Sequence, residues 1–373
     1  MTCLKTAVIG IRGMGREHAE NLARHPRAAL KAVADLHTEA AGQLAQQQDA
    51  RPYADYRAML EGESLDAVII ATPHHLHAPM SLAALEAGLH VLVEKPIAIR
   101  ISEAERMVEL ARRKNRVLAV GHNYRTFPGN LKLKQLIDTG QLGPLYRVLW
   151  QWLENRPEAY YRRDLWRCTW RHAGGGVLMN QASHDLDLIC WLLGDPVEVS
   201  AMVGNFAHQH EVEDTALANI RFASGAYASV QLSTCGPCLN YRQLCGEQGI
   251  VFFQDERNAN VHVPQVFRLG RYREPLRQTL QTHSQPAGQP EVVWQEVDCS
   301  SATCPTLLDS FVDACLDGTQ PIADGVSARR SLELINAILL SGVRRKVVSF
   351  PLDREEYDAL LDELISGKTR LGL

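Results

Sequence analysis

Short apolar runs at residues 6–9, 30–34, 67–71, 90–93 and 117–120 alternate with stretches whose apolar residues recur every three or four positions, near 15–24, 38–48, 78–87 and 102–114. Four or five consecutive apolar residues bounded by turn residues read as strands buried on both faces, and the longer periodic stretches read as amphipathic helices. Strand and helix in this alternation predict a doubly wound parallel sheet with crossover helices, an α/β domain over residues 1–123. Beyond residue 124 the pattern changes. Residues 146–153, 198–206, 215–222 and 226–232 alternate apolar and polar positions over longer spans, the period of half-buried strands. A second, α+β domain over residues 124–373 is expected, built on a large, mainly antiparallel, open-faced sheet. Residues 271–290 are rich in Gln, Thr, Pro and Arg without any period and predict a surface loop.

Composition narrows the class of protein. With 46% hydrophobic and 22% charged residues over 373 positions the chain is globular, which excludes disorder and coiled coil. A net charge of -4 gives no overall pull toward nucleic acid or an anionic membrane. No apolar run approaches the roughly 18 residues of a membrane span, and the first residues lack a leader's long apolar stretch, so a cytoplasmic location is expected. The nine cysteines are scattered and odd in number, unlike a secreted disulfide framework. Cys235-Gly-Pro-Cys238 has the spelling of a thioredoxin motif, but strand-like sequence lies on both sides of it and no His/Cys pair at finger spacing follows. A Gly-Pro hairpin turn is expected there, with neither redox chemistry nor a metal.

The first run of chemistry-bearing residues is Gly10-Ile11-Arg12-Gly13-Met14-Gly15, set between a strand and a helix, with Asp35 at the end of the next strand. A glycine turn of this kind presents backbone N–H groups and a helix N-terminus to a pyrophosphate, and the acidic residue accepts from the adenosine ribose. Arg12 stands where the second glycine of G-x-G-x-x-G belongs. Asp35 repels a 2′-phosphate and favours NAD over NADP, while the Arg12 guanidinium, able to pair with a phosphate, argues weakly the other way.

Three further blocks complete a recognisable set. Ala71-Thr72-Pro73-His74-His75-Leu76-His77 follows one strand, Glu94-Lys95-Pro96 ends the next, and Gly174-Gly175-Gly176 leads through Asn180 to His184, Asp185 and Asp187. Together with Pro321-Ile322-Ala323-Asp324-Gly325 and residues 347–351, these motifs resemble the family named for glucose-fructose oxidoreductase, inositol dehydrogenase and rhizopine catabolism proteins, across nearly the whole chain. The resemblance implies a Rossmann domain for NAD, less readily NADP, with Thr72, Pro73, His77, Glu94 and Lys95 along the cofactor. It implies a dehydrogenase or reductase acting on the CH–OH groups of a sugar, cyclitol or related ring. It also implies a homodimer or homotetramer formed through the C-terminal sheet. The alternation in 146–153 agrees, since Tyr146, Val148, Trp150 and Trp152 share one face, and an exposed aromatic face of that size calls for a partner.

Hydride transfer from an alcohol needs one group to take the hydroxyl proton and another to hold the oxygen as it becomes a carbonyl. Lys95 ends a buried strand at the carboxyl edge of the sheet, where ligands of doubly wound folds bind. A lysine buried beside an oxidised nicotinamide gives up its proton more readily. His184 is the other candidate, and on a continuous helix Asn180, His184, Asp187, Leu188 and Trp191 share a face. Asn180 stands where the family often has aspartate, and Asp187 either orients His184 instead or simply caps structure nearby. Arg163, Trp166, Arg167 and Arg171, with Arg125, either form a pocket wall for an anionic substrate or pack their stems on aromatic rings. Two other functions stay open: a redox-neutral enzyme that retains NAD, and a non-catalytic NAD-binding sensor, against which the presence of both Lys95 and His184 argues.

Overall fold

The computed structural model describes residues 3–255, 266–282, 290–299 and 304–371. They form two compact units: Met1–Asn123 with Arg171–Gly174 and Pro305–Leu332, and Tyr124–Trp170 with Gly175–Cys304 and Glu333–Leu373. Among the described residues no helix is long and apolar enough to cross a membrane.

The first unit is a six-stranded parallel sheet in the order β3-β2-β1-β4-β5-β6. Its strands are β1 (Leu4–Ile9), β2 (Ala28–Ala34), β3 (Arg51–Tyr53), β4 (Ala67–Ile70), β5 (His90–Val93) and β6 (Leu118–Val120). Helices α1 (Met14–Arg24), α2 (Thr38–Gln47), α3 (Tyr56–Gly62), α4 (His77–Glu86) and α5 (Ile101–Lys114) alternate with them. The Rossmann expectation holds. Sequence pattern passed over β3 and α3 for a physical reason: β3 is a three-residue edge strand carrying Pro52, too short and too exposed to show a period. The helix after it begins on a local cap, with the Asp55 carboxylate accepting from the Arg57 N–H. The winding direction reverses between β1 and β4, so their carboxyl ends flank the crevice in which such sheets hold ligands.

In the second unit nine strands follow the order β14-β13-β12-β11-β7-β10-β9-β8-β15, antiparallel except for the parallel pair β7 and β10. They are β7 (Leu145–Asn155), β8 (Pro196–Gly204), β9 (Thr215–Phe222), β10 (Tyr227–Ser233), β11 (Cys235–Gly246), β12 (Gly249–Asp255), β13 (Val266–Tyr272), β14 (Val292–Glu296) and β15 (Val348–Ser349). The remaining helices are α6 (Pro128–Asp138), α7 (Glu158–Arg163), α8 (Trp170–Ala173), α9 (Val177–Asn180), α10 (Ser183–Leu193), α11 (Leu276–Thr282), α12 (Leu307–Asp317), α13 (Gly325–Arg344) and α14 (Arg354–Ser366).

Four expectations need correction. The aromatic face of β7 is covered: Val148, Trp150 and Trp152 are buried, and the Trp150 indole N–H donates to Asp185 of α10 at 2.9 Å. The open face is the opposite one, where Leu217 and Tyr227 are exposed and Tyr241, Phe252 and Trp294 make a tilted aromatic row. Cys235-Gly-Pro-Cys238 is no hairpin turn. It is an irregular start to β11, where pairing to β7 jumps from Cys235↔Asn155 to Leu239↔Leu153 as the chain crosses the end of β7. In 271–290, Arg271 and Tyr272 finish β13 and Leu276–Thr282 form α11, while 283–289 lie outside the described residues. Finally, residues 305–332 are counted with the first unit. Leu307, Leu308, Phe311 and Val312 of α12 join the core of Leu4, Val8 and Leu22, and Arg27 pairs with Asp313 and Asp317 at 2.7 Å each.

Candidate active site

The glycine turn is built by close approach. A Cβ on Gly15 would stand 1.8 Å from the Gly10 carbonyl oxygen, and one on Gly10 would meet the Ala71 oxygen at 2.8 Å while forcing a side chain into φ +83°. Gly13, at φ +53°, caps α1. Asp35 closes the turn from the end of β2: its Oδ2 accepts from the Ile11 N–H at 3.0 Å and its Oδ1 from the His37 N–H at 2.8 Å. Beside it lies an open cavity of about 630 Å³ lined by Arg12, Leu36, His37, Thr38, Glu39 and Gln43. Only glycine fits positions 10 and 15, a helix N-terminus follows the turn, and a carboxylate stands at the ribose end, so these residues suit a dinucleotide.

Around Lys95 the side chains lock one another. Glu94 Oε1 lies 2.8 Å from His18 Nε2 on α1, and Glu94 Oε2 accepts from the Lys95 N–H at 3.3 Å. Burial raises the Glu94 pKa, but the His18 hydrogen bond and the charges of His18, Lys95 and His77 outweigh it and leave the carboxyl below its ordinary range. His77 is wholly buried, with Nδ1 2.7 Å from the Pro96 carbonyl oxygen and Nε2 2.8 Å from that of Thr72. Both ring nitrogens face backbone, so His77 ties the loop after β4 to the segment carrying Lys95, in place of the expected contact with a cofactor. Burial holds its pKa below that of a free imidazole. The neighbouring histidines are also structural here: His74 Nδ1 meets the Ala173 oxygen at 3.0 Å, and His75 packs edge-on to His172.

In the second unit His184 sits in the first turn of α10 with its ring stacked on Tyr124, centroids 4.2 Å apart. The helix is interrupted at Gln181–Ala182, where the Ala182 N–H reaches back to the Val177 oxygen. Asn180 therefore ends α9, and the expected continuous stripe from 180 to 191 does not form. Asp187 does not orient His184 either. Its two oxygens accept from Arg125 Nε and Nη2 at 2.7 and 2.6 Å in a buried fork. That pairing also removes Arg125 from the set of arginines offered to an anionic substrate. Arg167 leaves it as well, stacked 4.4 Å from the Trp166 ring and paired with Asp164 at 2.7 Å. Arg163 and Arg171 stay exposed.

Glu213 was invisible in the motif pattern, although an acidic pair in front of the alternating run 215–222 marks its place. Its Oε1 accepts from the Gly176 and Leu178 N–H groups at 2.8 and 3.1 Å, and its carbonyl oxygen from the Val177 N–H at 2.9 Å. A Cβ on Gly176 would stand 1.8 Å from that carbonyl oxygen, which explains the glycine. Burial pushes Glu213 up to about 7, against the pull of the two N–H groups. His18 thus braces Glu94 beside Lys95, Tyr124 stacks on His184, and Glu213 holds the glycine turn before α9; none of the three belongs to a motif readable in one dimension.

A sheet of this winding with a glycine turn and a ribose-end carboxylate defines an NAD-binding Rossmann unit of an oxidoreductase. Residues 4–122 match the family described as "Oxidoreductase family, NAD-binding Rossmann fold", and residues 130–252 match "GFO/IDH/MocA C-terminal domain". The chain belongs to the Gfo/Idh/MocA family. It is 25% identical over 361 residues to myo-inositol 2-dehydrogenase of Thermotoga maritima, covering 91% of this chain and 99% of that one. It is 27% identical to levoglucosan dehydrogenase of Pseudarthrobacter phenanthrenivorans over 70% of this chain and 76% of that one. Among solved structures, the WlbA dehydrogenase of Bordetella pertussis, in complex with NADH and UDP-GlcNAcA, is 26% identical with a TM-score of 0.80, covering 95% of this chain and all of that one. The chain is a dehydrogenase or reductase with an NAD-binding domain.

Proposed function

We propose that this enzyme moves a hydride between nicotinamide and a secondary alcohol or ketone carbon of a sugar, cyclitol or related ring compound. The observation that carries the reading is the Glu94–Lys95 segment at the carboxyl end of β5, braced by His18 and His77, together with a turn that needs glycine at positions 10 and 15. The ring polyols and sugars in the names of its relatives support the substrate class. Bound NAD supplies the hydride acceptor. Lys95 Nζ holds the substrate oxygen, and His184, stacked on Tyr124, takes the hydroxyl proton. Asn180 donates or accepts a hydrogen bond at a second hydroxyl. Any preference for an anionic substrate rests on the exposed Arg163 and Arg171, now that Arg125 and Arg167 are engaged elsewhere. Turnover of polyols, aminosugars and sugar acids followed by NADH absorbance tests the reading. A chain that binds NAD and turns over none of them would be the sensor, and one that converts a substrate with no net NADH would be redox-neutral.

NAD is expected to be used better than NADP, because the Asp35 carboxylate, held at the ribose end by Ile11 and His37, repels a 2′-phosphate. Asp35→Ala should weaken NAD by roughly tenfold or more, the worth of a charged hydrogen bond, and narrow the gap to NADP. Titrations in which the unaltered protein binds NADP as tightly as NAD would overturn this and turn attention to Arg12.

The open sheet face supports a homodimer or homotetramer. Leu217→Glu, which puts a charge among the exposed apolar residues of that face, should yield monomers by light scattering. A monomeric unaltered chain at micromolar concentration would remove the idea.

A further inference from the structure

One motif plays no part in hydride chemistry. The fold brings the first cysteine of Cys235-Gly-Pro-Cys238 to side chains that no sequence spacing connects. Cys235 Sγ lies 3.6 Å from His208 Nδ1, which lies 3.0 Å from Asp214 Oδ2, and all three atoms fall within 4.8 Å of one another. His208 comes from the β8–β9 connection, Asp214 stands just before β9, and Cys235 begins β11. The cluster forms because these strands end at the same edge, where the Thr234 N–H donates to the Asp214 carbonyl oxygen.

The tautomer of His208 decides what the cluster can hold. Its Nε2 lies 2.6 Å from the Arg156 carbonyl oxygen, so that nitrogen carries a hydrogen and donates. A carbonyl on one ring nitrogen is the usual way a metal-ligating histidine is aimed. Nδ1 then meets a carboxylate oxygen at 3.0 Å, where bare lone pairs on both atoms would repel. A proton is one solution and a metal ion the other. In the protonated form the His208 ring N–H and the Cys235 thiol both donate to the Asp214 carboxylate, and a metal ion replaces those two protons with the same three atoms as ligands. Tetrahedral bonds of about 2.0–2.3 Å set ligand atoms about 3.3–3.8 Å apart; the 3.6 Å sulfur–nitrogen separation lies in that range, and the 3.0 Å nitrogen–oxygen pair has to open slightly to admit the ion. The carboxylate is also braced as ligating carboxylates are, by the N–H groups of Phe206, Ala207 and His208.

We propose that His208, Asp214 and Cys235 form a zinc site. Nitrogen, oxygen and sulfur donors in one small set suit zinc better than magnesium or calcium. The thiol loses its proton to solvent on coordination. Thiolate and carboxylate then balance the two positive charges, and the neutral imidazole adds none. Three protein ligands leave a fourth position for water. An adjoining cavity of about 600 Å³, lined by His208, His210, Asn205 and Trp170 among others, gives the ion an entry path. Such a site ties the β8–β9 connection to the start of β11 beside Glu213, which holds the glycine turn before α9.

Cobalt titration of the full chain after chelator treatment tests the site. One equivalent should produce a thiolate-to-cobalt charge-transfer band and the intense visible bands of a tetrahedral ion, and zinc should bleach both. Cys235→Ser should abolish the charge-transfer band, and Cys238→Ser, at an exposed position, should leave it intact. A second readout needs no variant: zinc should protect Cys235 from alkylation, read by peptide mass spectrometry, while Cys238 stays reactive. Absence of the charge-transfer band, its survival in Cys235→Ser, or equal alkylation of Cys235 with and without zinc would each overturn the proposal.

Discussion

Lys95→Ala is expected to lower kcat by roughly 10²–10⁴-fold, the range for losing a group that handles the proton or the developing charge, while NAD affinity changes little. Affinity should survive because the turn from Gly10 to Gly15 and the Asp35 carboxylate are independent of the lysine side chain. Stopped-flow turnover and fluorescence titration of NADH separate the two quantities. Asn180→Asp divides the proton-handling role between Lys95 and His184. A new carboxylate just before His184 should favour the imidazolium and move the limb of the pH–rate profile that reports the base. An unmoved profile in Asn180→Asp, together with an unmoved one in His184→Ala, would assign the titrating base to Lys95. Full activity in Lys95→Ala would sink the dehydrogenase mechanism itself.

Asp187→Ala is expected to cost about 3–5 kcal/mol of stability, because it leaves the Arg125 guanidinium charged and buried without its carboxylate. The two side chains are 3% and 0% exposed, so water cannot take over the lost contacts. The Trp191 ring, 5.6 Å from the guanidinium, offers only weak compensation. Chemical denaturation should show the loss, and Arg125→Met combined with Asp187→Leu should recover most of it, since a buried ion pair replaced by apolar side chains of similar size is near neutral. A single variant as stable as the unaltered protein would mean that the fork is hydrated in solution.

The elements that the linear pattern showed are those whose own residues carry the signal. β4 and β5 are runs of apolar residues, α1 and α5 have one apolar face, and the turn between β1 and α1 announces itself in glycines. Misreadings came where a partner distant in sequence decides the outcome. The alternation of β7 correctly put Val148, Trp150 and Trp152 on one face, but alternation alone does not say which face is covered. Asp185 and Arg242, which meet Trp150, lie 35 and 92 positions away along the chain, and together they mark the covered side. Likewise Lys95 and His184 stand out by motif, whereas His18, Tyr124 and Glu213 are ordinary residues until the fold brings them into contact. Helix spacing alone offers Asp187 as a helper of His184, which fails once the chain steps at Gln181–Ala182 and Arg125 claims both oxygens.

The return of residues 305–332 to the first unit bears on how the chain is made. A ribosome releases β1 to β6 before Leu307, Leu308, Phe311 and Val312, which complete their apolar cover and follow only after residues 124–304 have been made. The Ala323 carbonyl that accepts from Val120 arrives later still. The nascent N-terminal sheet therefore waits, with part of its greasy surface uncovered, through the synthesis of most of the second unit. Domain-by-domain folding during translation is not open to this protein in its simplest form, and a chaperone that shields that surface has a long window in which to act.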